Sequence, residues 1–189
     1  MLLGPGVVTD ITLEELMEQY VDGSAAAFDG LYRRTAPQLF GFLVRLARDR
    51  TVAEDLLQVT YTKVHRARSS YLRGAPVLPW MLAIARRSFY DERRSASSRR
   101  ERLTHDGSMP EPDRQERELP IDVTEAIERA LDEMPVTYRE AIQLTKVTGL
   151  SIAEAAEVLD ASPTAVKLRV HRGYGLLRKQ LEPYGRGTG

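Results

Sequence analysis

The chain of 189 residues contains no cysteine. Disulfides and thiolate-held zinc are therefore excluded, and a reducing, cytoplasmic setting is expected. No apolar run approaches about 18 residues, so no membrane-spanning helix is expected. The opening MLLGPGVV lacks a basic segment and is too short an apolar run for a secretory signal. Aromatic residues make up only 7% of the chain, with a single Trp. The three histidines, His65, His105 and His171, are too far apart for metal-ligand spacing. No nucleophile elbow, phosphate loop or metal motif is present. The paired acids Glu14/Glu15 and Glu54/Asp55 suit helix starts, where the dipole favours negative charge. We therefore expect no catalytic site, no metal, no cofactor and no small-molecule substrate.

What is present is 42% hydrophobic and 29% charged residues, rich in Ala, Leu, Glu and Arg. That composition favours helices. The formal net charge is zero, but the charge is segregated. From Arg86 to Arg102 seven arginines stand against three acids; from Asp106 to Glu133 ten acids stand against three arginines. From Lys167 to Glu182 five cations face one acid. Polyanion binding depends on local field, so a neutral total excludes little.

The periodicity is helical throughout, with no strand-like alternation and no internal repeat. Thr12-Leu-Glu-Glu15 and Thr51-Val-Ala-Glu54 have the spacing of capping boxes, and each should open a helix. Phe28, Leu31, Tyr32, Leu39, Phe42, Leu43 and Leu46 recur at helical spacing, with Pro37 placed to kink or divide that helix. Val52, Ala53, Leu56, Leu57, Thr60 and Val64 mark one face of the next helix. YLRGAPVLP reads as a loop, after which a helix should restart near Pro79 and bury Met81, Ile84, Ala85 and Phe89. SASSRRER through PEPDRQERELP has almost no apolar period and reads as a flexible acidic linker. Helices over Val123 to Met134 and Val136 to Thr148 should follow. The expectation is an all-α chain: a tail over 1–11, a helical domain over 12–100, a linker over 101–121, a second helical domain over 122–184 and a tail over 185–189.

LSIAEAAEVLDASPTAVKLRVHRGYGLLRKQ, from Leu150 to Gln180, has the syntax of a helix-turn-helix. Ser151-Ile-Ala-Glu154 is a capping box, and Ala155 and Ala156 permit close helix approach. Asp160-Ala161 break the first helix; Ser162 then caps a second whose first residue is Pro163. Val166, Val170, Leu177 and Leu181 should face inward, with Thr164, Lys167, Leu168, His171 and Arg172 on the other side. Thr164, Lys167 and His171 are placed to reach bases, and Arg169, Arg172 and Arg178 to reach phosphates.

Taken together, the segments resemble the extracytoplasmic-function (ECF, group 4) sigma factors of the sigma-70 family, the small two-domain promoter-specificity subunits of bacterial RNA polymerase. AAFDGLYRRTAPQLFGFLVRLARDRTVAEDLLQVTYTKVHRA is similar to the family's first conserved helices, and PWMLAIARRSFYDERR to its next segment. ALDEMPVTYREAIQLTKVTGLSIAEAAEVLDASPTAVKLRVHRG resembles its helix-turn-helix domain. The resemblance implies a region 2-like bundle that binds core polymerase and melts the −10 element, and a region 4-like domain that reads the −35 element. It implies contacts with the β′ clamp helices through Asp55, Gln58 and Thr62, with the β flap, and with promoter DNA. It also implies a cognate anti-sigma factor, often membrane-bound.

For the −10 element the resemblance points to Arg73, Trp80, Arg86, Arg87, Arg93 and Arg94; for the −35 element, to Ser162, Thr164, Lys167, Arg169, His171 and Arg172. Two departures stand out. Val59 occupies a position where the family usually has Glu, removing a charge-assisted bond from the clamp contact. Arg87 stands where the family most often has Asn, which implies an atypical −10 preference. In the linker, Glu111, Asp113, Glu116 and Glu118 could mimic nucleic acid in a positive channel, or serve only as a soluble tether. A two-domain regulator with a sensing half would need strands and a phosphoacceptor Asp. A purely protein-binding adaptor would lack salt-dependent DNA affinity.

Overall fold

The computed structural model describes residues 11–103 and 123–182. Among them are eight α-helices, one 3-10 turn, one π turn and no strand, so the fold is all-α as expected. None of these helices is long and apolar enough to cross a membrane. The chain divides into two compact units, Met1–Phe89 and Tyr90–Gly189. The acids Glu111, Asp113, Glu116 and Glu118, and the tail over 185–189, lie outside the described residues.

In the first unit, α1 (Leu13–Val21) opens with the Thr12 capping box. Glu15 N–H donates to Thr12 Oγ1 at 3.1 Å and Thr12 N–H donates back to Glu15 Oε2 at 2.8 Å. It ends in a Schellman turn: Ser24 N–H reaches Gln19 O at 2.9 Å and Gly23 N–H reaches Tyr20 O at 3.1 Å. Gly23 sits at φ +102, a conformation that disfavours any side chain. Ser24 then caps α2 (Ala25–Ala47). Pro37 lies inside α2 without dividing it.

The second capping box is not used. Asp49, not Thr51, caps α3 (Arg50–Ala67), its Oδ1 accepting from Val52 N–H at 3.0 Å. Asp49 takes the role because Arg48 ends α2 in the left-handed region at φ 57, leaving a two-residue turn. Glu54 pairs instead with Arg50 at 3.1 Å.

The core of this unit is Met17, Leu31, Leu39, Phe42, Leu43, Leu56, Val64, Val77, Met81 and Leu82. Beside it runs a seam that concentrates the scarce aromatics. Tyr20 and Phe28 centroids are 5.1 Å apart, Tyr32 and Tyr61 4.7 Å, and Phe28 meets Tyr61 edge-on at 6.0 Å. Tyr20 also shares a 2.5 Å hydrogen bond with His65 Nδ1, so this exposed histidine is not a bare surface group.

A 3-10 turn (Arg68–Ser70) leads to the loop before α4 (Val77–Leu103). α4 starts two residues earlier than its Pro79 suggests, and it buries Met81, Ala85 and Phe89 while Ile84 is only partly covered. It also continues through 95–103, where the composition suggested the linker had begun. Apolar period reports burial rather than helicity, and residues 91–95 are exposed, so the signal disappears while the helix persists.

In the second unit, α5 (Val123–Glu133) and α6 (Val136–Ile142) pack on α8 (Pro163–Leu181), with α7 (Ile152–Leu159) alongside. The helix expected over 136–148 widens after Ile142 into a π turn (Gln143–Val147). Thr148 N–H reaches Gln143 O at 2.8 Å, and Gly149 at φ +81 reverses the chain. Leu144, Ala155, Ala156, Val158, Leu159 and Val166 are buried around α8. Gly173, on the same face, lets Ile142 of α6 come close.

Candidate nucleic-acid interface

The first surface is the outer side of α3. Ala53, Leu56, Thr60, Tyr61 and Val64 face the core, which turns Asp55, Gln58 and Thr62 outward on one face at spacings of three and four. Thr62 Oγ1 donates to Gln58 O at 2.9 Å, so its hydroxyl is already engaged with the helix. Val52 and Val59, both exposed, form an apolar margin along this ridge.

The second surface is the loop over 71–76 with the exposed side of α4. Tyr71 folds the loop back on itself, its hydroxyl donating to Ala75 O, and Ala75 N–H closes a turn on Leu72 O at 3.0 Å. Burial, with Glu14 and Glu18 nearby, raises the Tyr71 phenol pKa, so this hydroxyl stays protonated. Leu72 at the tip is 78% exposed. Beside it Arg73 is held by Asp22, whose carboxyl is lowered by that hydrogen bond, while the same partner raises the guanidinium.

Val77 N–H donates to Glu14 Oε1 at 3.1 Å, so a carboxylate from α1 caps the start of α4. Trp80 is partly buried, its ring meeting Tyr71 edge-on with centroids 5.4 Å apart. Arg86, Arg87, Arg93 and Arg94 lie along one side of α4, the pairs seven residues apart. Arg87, Arg93 and Arg94 are exposed and Arg86 is partly covered; Arg94 is paired with Asp91.

The third surface is α8. Asp160 at φ 49 ends α7, and Ser162 Oγ accepts from Ala165 N–H at 3.2 Å to begin α8 on Pro163. Val166 and Gly173 are buried, with Val170, Leu177 and Leu181 partly so. The opposite face carries Thr164, Lys167, Leu168, His171 and Arg172, all exposed, and Ser162 is exposed at the turn. Arg169 lies at the margin, partly covered. The side chains grouped on α8 by periodicity are therefore grouped in space.

Two family models match the chain, in sequence order. The "Sigma-70 region 2" family model matches residues 31–99 and the "Sigma-70, region 4" model residues 124–177. The chain is 37% identical to the RNA polymerase sigma factor CarQ of Myxococcus xanthus over 87% of this chain and 95% of that one. It is 31% identical to the ECF RNA polymerase sigma factor SigX of Bacillus subtilis, over 82% of this chain and 84% of that one. The chain belongs to the extracytoplasmic-function sigma factors.

Two solved structures share the fold at 24% identity. One is the sigma factor RpoE of Bartonella quintana in complex with the anti-sigma factor NepR, with TM-score 0.68 over 82% of this chain and 96% of that one. The other is CnrH in complex with the cytosolic domain of CnrY, with TM-score 0.67 over 90% of this chain and 97% of that one. This sigma factor accordingly directs promoter-specific initiation of transcription, and its family comprises initiation factors rather than enzymes.

Sequence reasoning did not find Asp22 or Glu14 as partners of the loop. They are 51 and 63 residues from Arg73 and Val77, and no local spacing encodes such a pairing. The exposure of Leu72 was within reach: it stands just ahead of the turn residues Gly74 and Pro76, in a segment that offers no apolar period to bury it.

Proposed function

We propose that the module ending near residue 100 seats on the β′ clamp helices through Asp55, Gln58 and Thr62 of α3, and captures the opened −10 strand with its loop and α4. Opening a promoter requires holding unstacked bases against aromatic and cationic groups. Trp80, Arg73, Arg86, Arg87, Arg93 and Arg94 supply these. Arg73 exchanges Asp22 for a phosphate as DNA arrives, a swap between two exposed ionic partners. Arg87, a bidentate donor where the family's amide would stand, favours a guanine edge or phosphate over adenine. The module over 122–184 reads the −35 element with α8 and meets the β flap.

The observation that carries this reading is the outward face of α8, where Thr164, Lys167, His171 and Arg172 project together beyond a capped helix-turn-helix. Control by a cognate anti-sigma protein is part of this proposal; RpoE, solved with the anti-sigma factor NepR, supports it. The protein acts in the cytoplasm, where polymerase and DNA are.

The test is transcription by sigma-free core polymerase from a promoter library after addition of wild-type or Arg87→Asn protein. Wild type is expected to yield promoter-specific transcripts, and Arg87→Asn to shift the −10 preference towards adenine. An absence of specific transcripts refutes the reading, and an unchanged −10 preference removes Arg87 from it.

A further inference from the structure

The outward face of α8 contains one residue with no polar function. Leu168 is 46% exposed in the second turn of the helix. At 100° per residue Thr164, Leu168 and His171 stack along one ridge, with Lys167 and Arg172 on either side. Leu168 thus stands in the middle of the groove-facing surface, not at its rim. Two further exposed apolar side chains of α8, Tyr174 and Leu176, lie one to two turns later, beyond the N-terminal half of the helix that meets base edges. Val166 and Gly173 fill the packing face of α8, so the fold makes no demand on Leu168.

A leucine has no donor or acceptor. Pressed against guanine, adenine or cytosine edges it would strip water from polar atoms and return no hydrogen bond. In the major groove the one apolar group is the C5 methyl of thymine. We propose that Leu168 reads the C5 methyl group of a single thymine in the −35 element. The proposal rests on the −35 reading of α8 given above and makes Leu168 a specificity residue for that contact. The flanking Lys167, His171 and Arg172 address polar edges and phosphates, so the thymine contact sets the identity of one base pair while they set register.

The test uses holoenzyme assembled from the full chain and core polymerase, on a −35 sequence selected from the library. Each thymine is replaced singly by deoxyuridine, which removes only the methyl. Burying one methyl-sized group is worth about fourfold in affinity. Wild type is expected to lose about that factor at one position and nothing at the others. Leu168→Ala is expected to bind thymine and uracil there equally, while Leu168→Met, which keeps an apolar tip, retains the difference. Cytosine at that position should be discriminated against, and 5-methylcytosine should recover part of the loss.

Because Leu168 is exposed, an unchanged unfolding midpoint is expected for both variants. Three results overturn the proposal: no thymine whose methyl is felt, a methyl effect that persists in Leu168→Ala, or a selected −35 element without thymine. Failure of the holoenzyme to bind any promoter specifically defeats the −35 reading itself and is distinguishable from these, since there the deoxyuridine scan has no reference affinity.

Discussion

The Tyr61 hydroxyl shares a 2.7 Å hydrogen bond with Thr35 Oγ1, inside the seam between α2 and α3. Burial pushes its pKa up to about 12, despite the opposing effect of that hydrogen bond. An unfolded tyrosine ionises near 10.0. Between these values the native state holds a proton that the unfolded chain has lost, so stability is full below the lower value and falls as pH rises through the interval. Urea unfolding midpoints at about pH 9 and about pH 11 are expected to differ more for wild type than for Tyr61→Phe. Tyr20 and Tyr71, also raised by burial, leave a residual slope. Equal slopes in the two proteins would remove Tyr61 as the cause. The seam itself was only half legible in the sequence. Phe28 and Tyr32 stand out at helical spacing in α2, but their contact with Tyr61 comes from helix packing that no local pattern encodes.

At the scale of the element, α8 contains two glycines with opposite reasons to be there. A Cβ at Gly173 would sit 2.6 Å from Ile142 Cδ1 and 3.3 Å from Met134 Sδ, whereas one at Gly175 would meet nothing within 4 Å. Replacing a helix-interior glycine by alanine gains about 1 kcal/mol of helix propensity. Gly175→Ala is expected to realise that gain in denaturant unfolding. Gly173→Ala is expected to forfeit it, since Ile142 must turn its tip into a filled interior. If both variants are stabilised alike, the contact between α6 and α8 is looser than described.

This element also shows what a sequence gives up readily. Ser151, Glu154, Ser162 and Pro163 are local signals, and all four perform the capping roles their types predict. The buried Gly173 escaped because its burial comes from Ile142 and Met134, which are distant in sequence, and the π turn after Ile142 escaped because periodicity reports a helix without its local width. The Thr51 box misled because two capping residues lay within a turn of one another and only the tertiary turn at Arg48 chose between them.

For the whole molecule, zero net charge conceals cationic helices on either side of an acidic stretch. Overall class and family were readable because periodicity and three ordered motifs are properties of the line of residues. The engagement of Arg73 with Asp22 was not, because it joins positions distant in that line. If Glu111, Asp113, Glu116 and Glu118 act as a nucleic-acid mimic within polymerase, replacing all four with Gln is expected to alter the yield of abortive transcripts. An unchanged yield from the reconstituted holoenzyme makes them a tether only.

The bond from Val77 N–H to Glu14 bears on how a minimal fragment should be cut. The region 2 match begins at residue 31, beyond α1 altogether. A piece trimmed to that boundary would bare the surface that Leu16 and Met17 cover and leave the leading turn of α4 without its carboxylate. Spectroscopy on such a piece would then report a frayed loop created by the scissors, whereas a cut upstream of Ile11 keeps the loop's foundation in place.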